Sequence, residues 1–145
     1  MNVPPKQLQV RPAMAGERRA VADLWIKTGL TTAYNDPDVD FEFAHEKPAS
    51  TVLVGLLGGK IIASVMIGHD GHRGWLYYVS VDPDEQKAGH GAAIVAAGEN
   101  WLKQRGVRKV LLLIRDTNTV VESFYKRIGY ETIPRIVMQK WLEQK

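Results

Sequence analysis

Between Gln86 and Ala92 the chain reads QKAGHGA, two glycines placed where a charged turn gives way to a long segment of helical periodicity. A strand that passes through a short turn into a helix leaves several backbone N–H groups without partners at the helix start, and the helix dipole adds partial positive charge there. Phosphate is the ligand such a place suits. Gly89 and Gly91 each cost up to about 1 kcal/mol in helix propensity, and each lacks the Cβ that would hold a bulky diphosphate off the backbone. Packing in a tight turn is the competing account of the same two residues. Two other phosphate motifs are excluded by the string itself. There is no GxxxxGK followed by Ser or Thr, and a GxGxxG would need glycine where Ile94 stands. His69 and His72 fall on a strand end and a turn rather than on one helix face, and no third ligand accompanies them, so no metal site is expected.

The elements that must hold this loop follow from periodicity. Leu8 to Met14 alternates as a half-buried strand would, with Pro12 marking an edge or an end. From Gly16 to Thr28, Val21, Leu24, Trp25 and Thr28 recur at helical spacing, and Gly29 stops the helix. Asn35, Asp36 and Pro37 turn the chain. Asp38 or Asp40 is then expected to cap a short helix that carries Phe41 and Phe43 and ends at Pro48. Residues 51–57 and 60–69, separated by Gly58 and Gly59, read as a hairpin, and residues 70–74 turn the chain into a third strand at 75–81. After the glycine loop, Ile94, Gly98, Trp101 and Leu102 share one face of a helix running to about Arg105 and closed by Gly106. Residues 109–115 are apolar enough for a strand buried on both faces. Thr117 or Asn118 caps a last helix with Val121, Phe124, Tyr125 and Ile128 on one side; Gly129 ends it, and 130–133 and 136–142 read as two final strands.

With 145 residues, 45% of them hydrophobic, a single domain over 1–145 is expected. No run approaches the ~18 apolar residues of a membrane span. The opening MNVPPKQLQV lacks the basic-then-apolar order of a secretion signal, so a soluble cytoplasmic protein is expected. Zero cysteines exclude disulfides, zinc–thiolate sites and cysteine nucleophiles. A net charge of +3, from 19 basic and 16 acidic residues, is too slight an excess to argue for nucleic acid.

The string Q-x-x-G-x-G at Gln86 to Gly91, preceded by Val81-x-Pro83, resembles the pyrophosphate loop of the GNAT superfamily of acyl-CoA-dependent N-acyltransferases, whose form is R/Q-x-x-G-x-G/A. The resemblance extends in order over nearly the whole chain: the meander, the loop, the helix ending at Gly106, the apolar strand, Asn118, and FYKRIGY from Phe124 to Tyr130, which is similar to the family's FYxxxGF element. Within the superfamily, NDP at 35–37 and DGHRG at 70–74 resemble small bacterial acetyltransferases of the YpeA type. The fold so implied is α+β, layered α/β/α, with a mixed, mostly antiparallel central sheet of six to seven strands, a splayed pair, and helices on both faces. Acetyl-CoA is the implied co-substrate.

Residue by residue, the resemblance implies that the backbone of Val79 and Val81, on the splayed strand, pairs with the pantetheine amides. Gln86, Lys87, Ala88, Gly89, His90, Gly91 and Ala92 would hold the pyrophosphate by their N–H groups, with Lys87 and His90 either adding charge or facing solvent. Asn118 either contacts the cofactor or an ordered water, or caps its helix. Tyr125 matches the tyrosine that protonates the departing thiolate, work a phenol of ordinary pKa near ~10 can do; core packing is the alternative. A backbone N–H near Val79 would steady the oxyanion. The glutamate some relatives carry on the splayed strand falls at Trp75 here, so Asp70 and His72, at the turn feeding that strand, become the candidate bases, against a turn role for Asp70 and plain exposure for His72. Tyr34, Asn35, Asp36, Asp38 and Phe41 are expected to line the acceptor pocket, where acidic groups suit an amine, although turn chemistry also accounts for 35–37. The implied reaction is direct transfer to a small amine, an amino acid or a protein N-terminus, with a non-catalytic acyl-CoA sensor as the alternative. Neither nucleic acid nor membrane is an expected partner, and a homodimer stays open.

Overall fold

Gly58 and Gly59 take φ of 55° and 82°, left-handed values that reverse the chain between β2 (Ser50–Leu57) and β3 (Lys60–His69). The computed structural model describes residues 7–143, which fall into two compact units meeting at Leu113 and Ile114. In the first unit β1 (Gln9–Pro12), β2, β3 and β4 (Gly74–Val81) pair antiparallel in sequence order, and β5 (Val110–Leu112) joins β4 in parallel. The sheet is therefore mixed and mostly antiparallel, as expected, but it has five strands. Residues 130–133 and 136–142, read as two final strands, form none. They belong to the second unit, whose regular structure among the described residues is one helix, and a strand without a ladder partner is not a stable element. β5 also falls short of 109–115. As an edge strand paired over three residues it is half-buried, not covered on both faces.

The helices of the first unit lie on both faces of its sheet. α1 (Arg18–Lys27) turns Val21, Ala22, Leu24 and Trp25 inward, and Gly29 at φ 74° ends the chain's helical path. α2 (Pro37–Ala44) is capped by Asp36, not by Asp38 or Asp40: one Asp36 oxygen accepts from Asp38 N–H at 2.9 Å and Val39 N–H at 3.5 Å. The reason is Pro37, which has no N–H to donate and a φ already set for the first helical position, so the cap falls one residue before it. Trp25, Phe41 and Ala44 from these helices cluster with Val52 and Val54 of β2, and Met66 and Tyr78 pack against them.

On the opposite face α3 (His90–Lys103) covers β3 and β4. It approaches so closely that a Cβ on Gly98 would lie 3.1 Å from Ile67 Cγ2 and 3.2 Å from Leu76 Cδ2. A Cβ on Gly74, where β4 begins, would lie 2.7 Å from Leu102 Cδ1. Alternation along β3 serves both layers. Ser64 and Met66 point towards α1 and α2, and Val65 and Ile67 point towards α3.

In the second unit α4 (Thr119–Arg127) begins at Asn118, whose Oδ1 accepts from Val121 N–H at 3.2 Å, and it closes at Gly129 with φ 104°. No helix among the described residues is long and apolar enough to cross a membrane.

Candidate active site

The register between β3 and β4 slips at one place. Ala63 faces Val81 and Ser64 faces Ser80, but Met66 faces Tyr77, so Tyr78 and Val79 together oppose Val65. This is a β-bulge, and Tyr78 takes φ 52° within it, a left-handed conformation that costs energy in any residue with a Cβ and that concentrates at functional sites. β5 pairs only with Gly74, Trp75 and Leu76, so beyond the bulge β4 has no ladder partner on that side among the described residues. Asp82 N–H donates to Ile62 O at 2.7 Å, towards β3. By alternation, the N–H and C=O of Val81 and Val79 turn to the opposite, open edge. That edge corresponds to the splay the family resemblance implies.

The segment after β4 is anchored before it opens. Asp82, only 4% exposed, accepts from Asp84 N–H at 3.0 Å and from Lys27 Nζ at 3.0 and 3.2 Å, tying a short 3-10 turn (Pro83–Glu85) to the end of α1. The Asp84 N–H first, and the Lys27 ammonium second, hold the Asp82 carboxyl below its ordinary pKa. A depressed carboxylate stabilises the fold fully above its unfolded value and loses that contribution as pH falls through the folded one. Wild-type melting temperature is therefore expected to fall on acidification below about pH 4, and Asp82→Asn, followed by circular dichroism, to flatten that decline.

Past this anchor, Gln86 Nε2 donates to Val81 O at 3.4 Å, which brings the loop beside the open edge of β4. Lys87 and Gly89 have φ of 69° and 82°, and alternating left-handed residues gather successive N–H groups into a concave nest for anions. Gly89 directly precedes α3, whose first turn contains no acidic residue to compete for the positive end of its dipole. A Cβ at Gly89 would meet nothing within 4 Å, so the space over the loop is open. Gln86, Lys87, Ala88 and Gly89 are exposed, while His90, Gly91 and Ala92 are half-buried in the helix start. N–H groups, positive dipole and open space fit a diphosphate.

An open cleft of about 390 Å³ lies on the α2 side of β4, lined by Leu30, Asn35, Asp40, Phe43, Ala44, Met66, Tyr77 and Tyr78. Tyr78 OH donates to Asp40 Oδ2 at 2.6 Å, and the Tyr78 ring stacks on Trp25 at 4.0 Å. Burial and the neighbouring carboxylate both push the Tyr78 phenol pKa up, burial the more. Trp25 Nε1 in turn donates to Ser64 Oγ at 2.7 Å, and Ser64 Oγ lies 2.9 Å from Ser80 Oγ on β4.

Of the residues expected at the acceptor pocket, Asn35 lines this cleft. Tyr34 is exposed nearby in sequence, and Asp36 spends its carboxylate on the α2 cap. Asp38 faces Arg18 at 3.4 Å and Arg19 at 4.0 Å. Phe41 is a correction: it is fully buried, 6.5 Å from Trp25 and stacked on His45 at 4.8 Å, so it belongs to the core and no ligand reaches it. Sequence reasoning missed Asp40 and Tyr78. A usable signal for Asp40 was its helical spacing to Phe43 and Ala44, which places the three on one flank of α2.

The two candidate bases are differently placed. Asp70 Oδ1 accepts from His72 N–H at 2.9 Å and Arg73 N–H at 2.8 Å, and Oδ2 from Trp75 Nε1 at 3.3 Å. These bonds, that of Arg73 foremost, hold Asp70 below its ordinary pKa, and a carboxylate so engaged is a poor proton acceptor. The His72 side chain is exposed at the same turn. In the second unit Tyr125 is buried, its hydroxyl pushed up to about 12 by desolvation, with its ring against the edge of Tyr130 at 5.4 Å. Asn118 takes the capping role.

The family model described as the acetyltransferase (GNAT) family matches residues 19–130. An acetyltransferase of Pectobacterium atrosepticum is 35% identical over 135 residues, 93% of this chain and 96% of that protein. One of Yersinia enterocolitica is 33% identical over the same shares. Among solved structures, the aminoglycoside N-acetyltransferase AAC(6')-Iy, in complex with a bisubstrate analogue containing CoA, superimposes with a TM-score of 0.80 at 15% identity, covering 93% of this chain and 98% of that one. The ribosomal-protein-S18-alanine N-acetyltransferase from Escherichia coli does so at 0.75 and 19% identity, over 88% and 80%. Sheet, bulged strand and loop thus define the class of acyl-CoA-dependent N-acyltransferases, with acetyl-CoA as co-substrate. The chain belongs to the acetyltransferase (GNAT) family.

Proposed function

We propose that the chain works in the cytoplasm as one catalytic domain that moves an acetyl group from acetyl-CoA directly to a primary amine in a ternary complex. The observation that carries this reading is the open edge of β4 at Val79 and Val81, lying beside the left-handed loop before α3. Acetyl-CoA supplies an activated thioester when bound. Residues 86–92 hold the diphosphate by their N–H groups, and Val79 and Val81 pair with the pantetheine amides. The N–H of Val79 donates to the carbonyl oxygen as charge builds on it while the amine nitrogen attacks the carbonyl carbon. The nitrogen attacks as the neutral amine, its ammonium proton having gone to solvent. As the carbon–sulfur bond breaks, Tyr125 gives its proton to the thiolate, and the N–H proton shed as the amide forms passes to solvent, from which Tyr125 regains one. The acceptor is a small amine, an amino acid or a protein N-terminus. Two solved neighbours support that breadth: one is named for alanine of a ribosomal protein and the other for aminoglycosides.

Acetyl-CoA at a hundred times its Kd is expected to stabilise the fold by about 2.7 kcal/mol and to raise the melting temperature by several degrees. Gly89→Val forces a β-branched side chain into φ 82°, and its expected result is loss of most of that rise. A wild-type melting curve indifferent to acetyl-CoA overturns the reading.

A further inference from the structure

The cleft on the α2 side of β4 contains one carboxylate, Asp40, among apolar and aromatic groups. Leu30, Phe43, Ala44 and Met66 supply aliphatic and aromatic wall, and Tyr77 and Tyr78 supply ring surface from the bulged strand. The neighbouring acids are spent elsewhere. Asp36 caps α2, Asp38 faces Arg18 and Arg19, and Glu42 pairs with Arg18 at 3.2 Å. Asp40 has no cationic partner within ion-pair distance among the described residues; Tyr78 OH donates to its Oδ2 at 2.6 Å. Tyr78 is itself held by its stack on Trp25, with rings 11° from parallel, so the carboxylate is oriented with Oδ1 left to accept.

We propose that Asp40 receives the acceptor as its ammonium, which releases one proton to solvent before the nitrogen attacks, and that the cleft selects amines with a single cationic nitrogen on an apolar or aromatic body. This rests on the transfer reading above and narrows its acceptor class. The argument is one of charge count. A monocation finds one carboxylate, and its body finds apolar wall and the faces of Tyr77 and Phe43, a setting that also favours cations through the ring quadrupoles. A polyamine or aminoglycoside brings further ammonium groups into the cleft with no carboxylate to meet them, and desolvating an unpaired charge is costly. An amine bearing its own carboxylate meets Asp40 as a like charge.

The test uses the full chain with phenethylamine, spermidine, kanamycin and glutamate as acceptors, followed by thiol release, together with calorimetric binding of phenethylamine alone. Phenethylamine is expected to give a kcat/KM at least about tenfold above the other three. Asp40→Asn is expected to raise its KM and its calorimetric Kd about tenfold or more, the range for losing a charge-assisted hydrogen bond, with the Kd for acetyl-CoA unchanged. Tyr78→Phe, which frees Asp40 without removing its charge, should raise KM less. Equal turnover of all four acceptors, or an Asp40→Asn protein that binds and acetylates phenethylamine as the wild type does, overturns the proposal while leaving acetyl transfer intact. Asp40-dependent binding of phenethylamine without thiol release supports the cleft assignment and overturns the transfer reading instead.

Discussion

Replacing Tyr125 by Phe is expected to lower turnover by about 100-fold or more while changing the Kd for acetyl-CoA less than about twofold, because the substitution removes one proton donor and almost no volume. A hundredfold loss is about 2.7 kcal/mol of transition-state stabilisation. Were the hydroxyl only a buried polar group of the second unit, Tyr125→Phe would leave turnover untouched. Loss of binding with unchanged turnover would make it a positioning contact for the donor. The pH profile supplies an independent check. An acid works in its protonated form, so its contribution is lost as pH rises through its pKa, and burial has moved that loss up to about 12. In the wild type, kcat is expected to climb as the amine deprotonates and to show no fall up to about pH 10. A decline by pH 9, in protein shown by circular dichroism to be folded, counts against Tyr125 as donor.

The largest loss of stability is expected at Trp25→Ala, about 3–5 kcal/mol out of the roughly 5–15 that such domains possess. Trp25 is fully buried, stacks on Tyr78 and bonds Ser64, so its removal leaves a cavity between α1 and the sheet and takes a donor from the Ser64–Ser80 pair at the same time. Urea unfolding read by circular dichroism should show the midpoint fall with the slope kept. Trp25→Phe keeps much of the ring and loses the indole N–H, so it should cost less. A loss under about 1 kcal/mol for Trp25→Ala would mean that the cluster repacks freely, and the orientation given to Tyr78 would fail with it.

The meander was legible because β2, β3 and β4 alternate between two buried faces and because glycines mark their turns. The Asn118 cap and the stops at Gly29, Gly106 and Gly129 were legible for the same local reasons, each glycine having a φ between 74° and 104°. What escaped depends on context the string does not contain. The bulge at Tyr78 has no compositional mark, since tyrosine is an ordinary strand residue and its left-handed φ comes from register with Val65. Phe41 and Phe43 look alike in sequence, yet two residues apart on a helix they face different ways: one is fully buried and the other 83% exposed. The final strands failed because the apolar and β-branched content of 136–142 says only that a ladder would suit these residues, not that one is present in their unit. In the loop, Gly89 announced its left-handed backbone, whereas Lys87, with the same conformation, gave no sign.

α3 rests at Gly98 directly on the side chains of Ile67 and Leu76, with none of its own at that position. His90, where that helix begins, is eight residues away, about 12 Å along a stiff rod. The rod therefore acts as a lever pivoting on a bare contact. A methyl group added at position 98 must push Ile67 or Leu76 aside or shift the helix, and any shift there carries to the N–H groups at its start. The setting of the loop before α3 is thus governed from two turns away, by an atom that is not there.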